Sequence, residues 1–266
     1  MNKEKNFASA VIYVHNSADR LGEFLGTVIN VLEENFEHSE IICVNDYSDD
    51  NSAEVIRKTS ASAKNTSVSL LNMSYYHGIE AAMNAGVELS IGDFVFEFDS
   101  TVLDYDTEEI MKVYRHSLKG YDIVSASPDI KQKASSSFFY WLYNRSSVNK
   151  QDFTTNSFRI LSRRVLNRIG NINKSTPYRK AVYSTCGLKT DNIVYKCTNS
   201  KRASIEKKEQ RYRSRLAIDA LILFTDFGYR MSLVLTAIMM FAALIMGIYS
   251  FVTFIFGNPI EGWTTT

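Results

Sequence analysis

Three polar residues fall close behind short apolar runs in this 266-residue chain: Asn16 after ASAVIYV (8–14), Asp46 after EIICV (40–44) and Asp99 after Phe94–Phe98. One amide and two carboxylates in such places can bind a polar ligand or a hard cation, for which carboxylate oxygens are the natural donors. A second cluster has the opposite sign. Residues 196–215 hold eight basic side chains against two acidic ones, a local charge of +6, and cationic groups at that density position anions such as phosphates. Other chemistries lack their signatures. No GxGxxG follows the first apolar run, and no GxxxxGK[ST], HExxH or GxSxG occurs anywhere in the chain.

The elements that must position these residues can be read from periodicity. Residues 8–14 are apolar and rich in β-branched side chains, and the polar turn His15, Asn16, Ser17 follows. Leu21, Phe24, Leu25, Val28, Ile29, Val31 and Leu32 then recur at helical spacing. EIICV (40–44) predicts a second strand, closed by NDYSDDNS and followed by a helix over AEVIRKTS. Val68–Leu71 and Phe94–Phe98 repeat the theme around a helix at Ile79–Leu89. Strands alternating with helices predict βαβ units and an α/β fold with a mostly parallel, Rossmann-like sheet. Ligands of such sheets sit at the carboxyl ends of the strands, where Asn16, Asp46 and Asp99 lie.

With 45% hydrophobic residues, 22% charged, 12 Gly and 3 Pro, the chain is neither disordered, collagenous nor of low complexity. Cys43, Cys186 and Cys197 are too few and too widely spaced for a disulfide framework or a cysteine zinc site, which fits a reducing compartment. A net charge of +1 argues against a nucleic-acid partner. From Met231 to Gly257, 27 residues carry no charge, enough to span a bilayer with some tilt. The basic run precedes this stretch and leaves −5 on the rest of the chain, so the positive-inside rule predicts a cytoplasmic N-terminal part attached to the membrane. Leu216–Arg230, with Asp219, Asp226 and Arg230 among apolar clusters, reads as an interfacial helix. The expected layout is a catalytic domain over 1–200, basic juxtamembrane helices over 201–230, a span over 231–257 and a short far-side tail over 258–266 that could precede a second span.

Taken together, SAVIYVHNS (9–17), EIICVNDYSDDNS (40–52), HGIEAAMNAG (77–86), GDFVFEFDS (92–100) and SFRILSRRVL (157–166) resemble family 2 glycosyltransferases of the GT-A fold. More narrowly, they are similar to the membrane-attached branch that moves a sugar from a nucleotide onto polyprenyl phosphate, the dolichol-phosphate-mannose and bactoprenol glucosyltransferase type. The resemblance implies a UDP- or GDP-hexose donor, a polyprenyl phosphate acceptor, a lipid bilayer and Mg2+ or Mn2+ as cofactor. It implies nucleotide-sugar contacts at Tyr13, His15, Asn16, Ser17, Asp46, Gly78, Asn84, Ser100 and Thr101. Asp99 matches the first aspartate of the DxD element, the expected metal ligand and catalytic carboxylate. Arg159 matches the Phe-Arg dipeptide near the acceptor phosphate and is the second expected catalytic residue, and Lys201, Arg202, Lys207 and Arg211 match the basic residues that grip phosphate near the membrane.

The chemistry of these residue types agrees. A diphosphate leaving group develops negative charge that a hard cation neutralises, and a lipid phosphate is already an anionic nucleophile that needs positioning more than a base. The pattern is also broken. DxD reads Asp99-Ser100-Thr101; Asn16 is followed by Ser17, not Glu; Ile79 replaces a common lysine; and Asn156 replaces a glycine. Asp104 or Asp106 could supply the second carboxylate, or the diphosphate could carry most of the cation's ligands. Plainer roles stay open as well: Asp46 and Asp49 as turn and N-cap residues, Asp99 as a strand terminator, Asn16 in an Asx-turn, Arg159 in a surface ion pair. The aromatic run SFFYWLYN (137–144) predicts a helix packed on the sheet or on the membrane surface. A glycan or other lipid acceptor, and a catalytically degenerate membrane scaffold, are the alternative functions. Self-association through the span is a further partner expectation, although it contains no GxxxG.

Overall fold

In chain order the elements are β1 (Ala8–Val14), α1 (Ala18–Asn35), β2 (Ser39–Asn45), α2 (Ser52–Ser60), β3 (Thr66–Asn72), α3 (Ile79–Leu89), β4 (Phe94–Phe98) and α4 (Glu108–Ser117). There follow β5 (Ile123–Pro128), α5 (Ala134–Ser146), β6 (Phe158–Ser162), α6 (Arg163–Ile172), α7 (Arg179–Thr185), β7 (Thr190–Tyr195), α8 (Lys207–Phe224) and α9 (Phe227–Phe256). The structure, a computed structural model, describes residues 3–130, 134–146, 156–172, 178–198 and 207–256.

β1 forms because its run is apolar on both faces. Ala8, Ala10, Ile12 and Val14 point to one side, into a core with Leu21, Phe24, Leu25, Val28, Ile29 and Leu32 of α1. Val11 and Tyr13 point to the other, against Ile79, Ala82 and Met83 of α3. The two layers sandwich one sheet in the order β3-β2-β1-β4-β6-β5-β7. β1 pairs in parallel with β2 and β4, and β5 with β7, whereas β6 runs antiparallel to both β4 and β5. The mostly parallel α/β expectation therefore holds, with one reversed strand inserted beside β4. α3 lies so close to the sheet that a Cβ on Gly86 would come within 2.5 Å of Val11 and 2.6 Å of Val44.

The order reverses between β1 and β4: β2 and β3 extend to one side of β1, and the chain then crosses to β4 on the other. This is the topological switch point, where the loops after the two strands splay apart and leave a crevice at their carboxyl ends. Asn16 and Asp99 flank it.

The expected interfacial helix divides between two elements. α8 begins at Lys207 and ends at Phe224, and Ala220 and Leu221 on it pack with Tyr143 of α5 and Ala181 of α7. The aromatic run on α5 thus meets helices α7 and α8 rather than the sheet, while Trp141 stays exposed. Thr225 breaks the path. Its hydroxyl donates to the carbonyl of Leu221 at the end of α8 and accepts from the amide of Phe227 at the start of α9, serving both helix ends. α9 is 30 residues long, with a mean hydropathy of 2.4 over its most apolar window and none of that window buried. At about 1.5 Å per residue it measures about 45 Å, more than the roughly 30 Å of bilayer hydrocarbon. Gly257 and the tail 258–266 lie outside the described residues.

Candidate active site

Two groups of predicted residues come together at the carboxyl edge of the sheet. The first is organised by Asp46, which is fully buried after β2. Its carboxylate accepts from the Tyr13 hydroxyl at 3.1 Å and from the backbone amides of His77 and Gly78, each at 2.8 Å. His15 adds a contact from Nδ1 to the Asp46 carbonyl oxygen at 2.7 Å, and its ring lies 4.8 Å from that of Tyr76. Asp46 is therefore neither a turn former nor a helix cap. It ties the loop after β1 to the loop before α3. Capping falls to Asp50, which accepts from the amides of Ala18 and Ser52 at 2.9 and 3.0 Å. Asn16 takes a left-handed φ of 45°, and its side chain accepts from the Asp49 amide at 2.9 Å, as an Asx-type brace between loops would. Ser17 is buried and donates its amide to the Ser52 hydroxyl at 3.2 Å. Asn84 sits half-buried on α3, one turn beyond Glu80.

Gly78 combines two constraints. Its φ is 85°, and a Cβ there would fall 2.3 Å from the ring of Tyr212 on α8. Helix α8 thus touches the loop that Asp46 organises. A φ of 85° with a ψ of 160° is a region open essentially only to glycine, so Gly78→Ala is expected to cost about 1–3 kcal/mol of backbone strain and to push Tyr212 aside. Adding Tyr212→Ala should recover the second part and leave the first. Thermal unfolding of the two variants in detergent checks this; equal melting temperatures for both would refute the contact.

The second group is a buried charge cluster at the end of β4. Glu97 and Arg159 face each other across the β4–β6 pair, and Arg159 Nη1 donates to Glu97 Oε2 at 2.6 Å. Its Nη2 donates to Asp99 Oδ2. Arg179, at the start of α7, approaches from the other side: Nη2 donates to Asp99 Oδ1 at 2.8 Å and Nε to Glu80 Oε2 at 3.0 Å, while Nη1 lies 2.8 Å from Glu97 Oε1. The Tyr183 hydroxyl donates to Glu97 at 2.7 Å. Both arginines are only 1% exposed. Burial opposes the charge on Asp99, but Arg159 and Arg179 outweigh it and hold the carboxyl well below the usual carboxylate range. Burial likewise opposes the charge on Arg159, and Asp99 with Glu97 outweighs it. The two guanidiniums therefore favour the ionised form of Asp99.

Position 101 departs from a carboxylate in a definite way. Thr101 is buried and its hydroxyl accepts from Arg20 Nε at 3.0 Å. Ser100 is exposed, its Oγ accepting from the Val102 amide at 3.3 Å. Asp104 is turned to the Tyr195 hydroxyl at 2.9 Å. Among the described residues there is no group of three His, Cys, Asp or Glu that could hold a metal ion. Asp99 keeps lone pairs beyond its two arginine bonds and has a side chain 14% exposed. This donor set fits a hard cation that arrives with phosphate oxygens of its own and takes one protein carboxylate, as magnesium commonly does. It does not fit a cation caged by protein.

Lys207 opens α8 and Arg211 is exposed on it; Lys201 and Arg202 lie outside the described residues. Sequence reasoning missed Glu80, Glu97, Arg179, Tyr183, Arg20 and Tyr212. Glu97 left a signal, because a carboxylate inside the apolar run FVFEF must find a partner once buried. Arg179, in the polar stretch PYRK, left none.

The profile of Glycosyl transferase family 2 matches residues 9–185. A bactoprenol glucosyl transferase of Shigella phage SfX is 28% identical over 265 residues, covering 96% of this chain and 85% of that protein. An undecaprenyl-phosphate 4-deoxy-4-formamido-L-arabinose transferase of Edwardsiella ictaluri is 34% identical over 138 residues, 52% of this chain and 41% of that one. Among solved structures, a mannosyltransferase of Pyrobaculum calidifontis in complex with GDP-Man and Mn2+ superposes with a TM-score of 0.60 at 12% identity, over 82% of this chain and 64% of that one. That likeness concerns the fold, and the profile match over more than half of the chain goes further: the chain belongs to glycosyl transferase family 2.

Proposed function

We propose that this family 2 glycosyltransferase moves a hexose from a nucleotide sugar onto polyprenyl phosphate at a membrane, with its catalytic domain on the cytoplasmic side. One observation carries the reading. α8 is docked on α5 and α7, touches the Gly78 loop through Tyr212, and is followed after Thr225 by the exposed apolar helix α9, so the proposed span is joined to a helix packed beside the cleft. A transferase built this way suits an acceptor that resides in the bilayer. The relatives named for bactoprenol and undecaprenyl phosphate support that acceptor and differ in the sugar they move.

In this reading the nucleotide lies along the loops braced by Asp46, and the diphosphate lies over the switch point beside Asp99. Asp99 would hold Mg2+ or Mn2+ together with the donor's phosphates. When bound, such a cation neutralises charge developing on the leaving diphosphate. Arg159, buried and spent on Glu97 and Asp99, acts as a positioning residue for Asp99. Gripping the acceptor phosphate falls to the basic residues of 196–215, Arg211 among them. The lipid phosphate is an anion at neutral pH and attacks the anomeric carbon without a general base, consistent with a cleft whose main carboxylate is paired with two arginines.

The test is to incubate the detergent-purified chain with labelled UDP- and GDP-hexoses, polyprenyl phosphate and Mg2+ or Mn2+. A lipid-extractable labelled product is expected. Label appearing only on an added glycan, or on no acceptor with any donor, would refute the reading.

A further inference from the structure

We infer that Arg20, held by Thr101, is a donor-binding residue that contacts the diphosphate of the nucleotide sugar from within the switch-point crevice. The inference deepens the proposed function and rests on it.

Arg20 stands in the first turn of α1, directly after the β1 loop, and Thr101 stands two residues beyond Asp99 at the end of β4. Their side chains therefore bridge the two strands between which the sheet order reverses. The bond is made by Nε, the inner nitrogen of the guanidinium, to a buried hydroxyl at 3.0 Å. Nη1 leans on Asp19 at 3.2 Å, in a pair whose carboxylate is 75% exposed. Among the described residues nothing accepts from Nη2, and the Arg20 side chain remains 35% exposed. Nη2 and much of Nη1 are thus left for something outside the chain.

Stability does not account for this arrangement. An exposed pair between neighbouring residues contributes little, while ordering an arginine side chain costs rotamer entropy. A planar fork anchored at Nε and open at its outer edge is suited to phosphate oxygens, which it meets with two parallel hydrogen bonds. Position also matters: the guanidinium sits against residue 101, where a second carboxylate would otherwise help to hold a cation over the diphosphate. Here a threonine hydroxyl holds a cationic side chain in that place. A threonine accepts from Nε without cancelling the guanidinium charge, which an aspartate would do.

Binding of UDP, GDP, UMP and GMP to the full chain in detergent, measured by calorimetry, tests the inference. The unmodified chain is expected to prefer one diphosphate over its monophosphate. Arg20→Gln should weaken that diphosphate by about tenfold or more and shift the monophosphate by less than about twofold, since a hydrogen bond between charged groups is worth roughly 1.5–3 kcal/mol. Thr101→Val should produce a smaller loss. In the Arg20→Gln background it should produce no further loss, because Thr101 acts through Arg20. Unchanged diphosphate affinity in Arg20→Gln, or equal losses for mono- and diphosphate, would overturn the role of Arg20 while leaving the donor reading intact. Failure of the unmodified chain to bind either diphosphate would overturn both.

Discussion

Arg159→Met is expected to lower the melting temperature of the detergent-solubilised chain by about 6–20 °C. The reasoning starts from charge. Glu80, Glu97 and Asp99 face Arg159 and Arg179 in a buried cluster whose formal charge is −1. Removing one arginine takes these groups to −2 in a site mostly closed to water, and breaking a buried pair from one side costs about 3–5 kcal/mol. In a domain of this size each kcal/mol moves the midpoint by about 2–4 °C. Arg159→Lys separates charge from geometry. A lysine restores the charge but offers a single point donor where the guanidinium reaches Glu97 and Asp99 at once, so much of the stability should return and little of the activity. A melting temperature within 2 °C of the unmodified chain for Arg159→Met would refute the cluster as drawn.

Asp99→Asn is expected to behave in the opposite way. It removes a negative charge from a cluster that carries one in excess, leaving Glu80 and Glu97 balanced by Arg159 and Arg179. The amide oxygen can still accept from one arginine. The fold should hold, with a melting temperature within a few degrees of the unmodified chain. Transfer of sugar to lipid should fall by about 10² or more, the usual loss when a group stabilising developing charge is removed. Both measurements are made on one preparation. Activity above about a tenth of the unmodified rate would remove Asp99 from the proposed site, and a collapse in stability would show that it is needed for the fold instead.

The contrast between these variants could not have been drawn from the motifs. Asp99 and Arg159 are both legible as strand-associated polar residues, and by resemblance they fall to the donor diphosphate and the acceptor phosphate respectively. The structure joins them. β6 runs antiparallel beside β4, and that register sets Arg159 opposite Glu97 and within reach of Asp99. FRILS is legible as a motif, but its direction is not, because a five-residue apolar run reads the same way in either orientation.

What the sequence by itself determined is what short-range periodicity encodes. β1 and β4, the helix over 79–89, the two-sided burial of the parallel strands and the long apolar helix all follow from side chains a few residues apart. Which charges meet was decided only by the tertiary structure. Arg20 reaches Thr101 across 81 positions, Arg179 reaches Asp99 across 80, and Tyr212 on α8 closes on Gly78 before α3. Such pairs depend on how loops close and how strands register, and nothing in the residues flanking either partner records the distance between them.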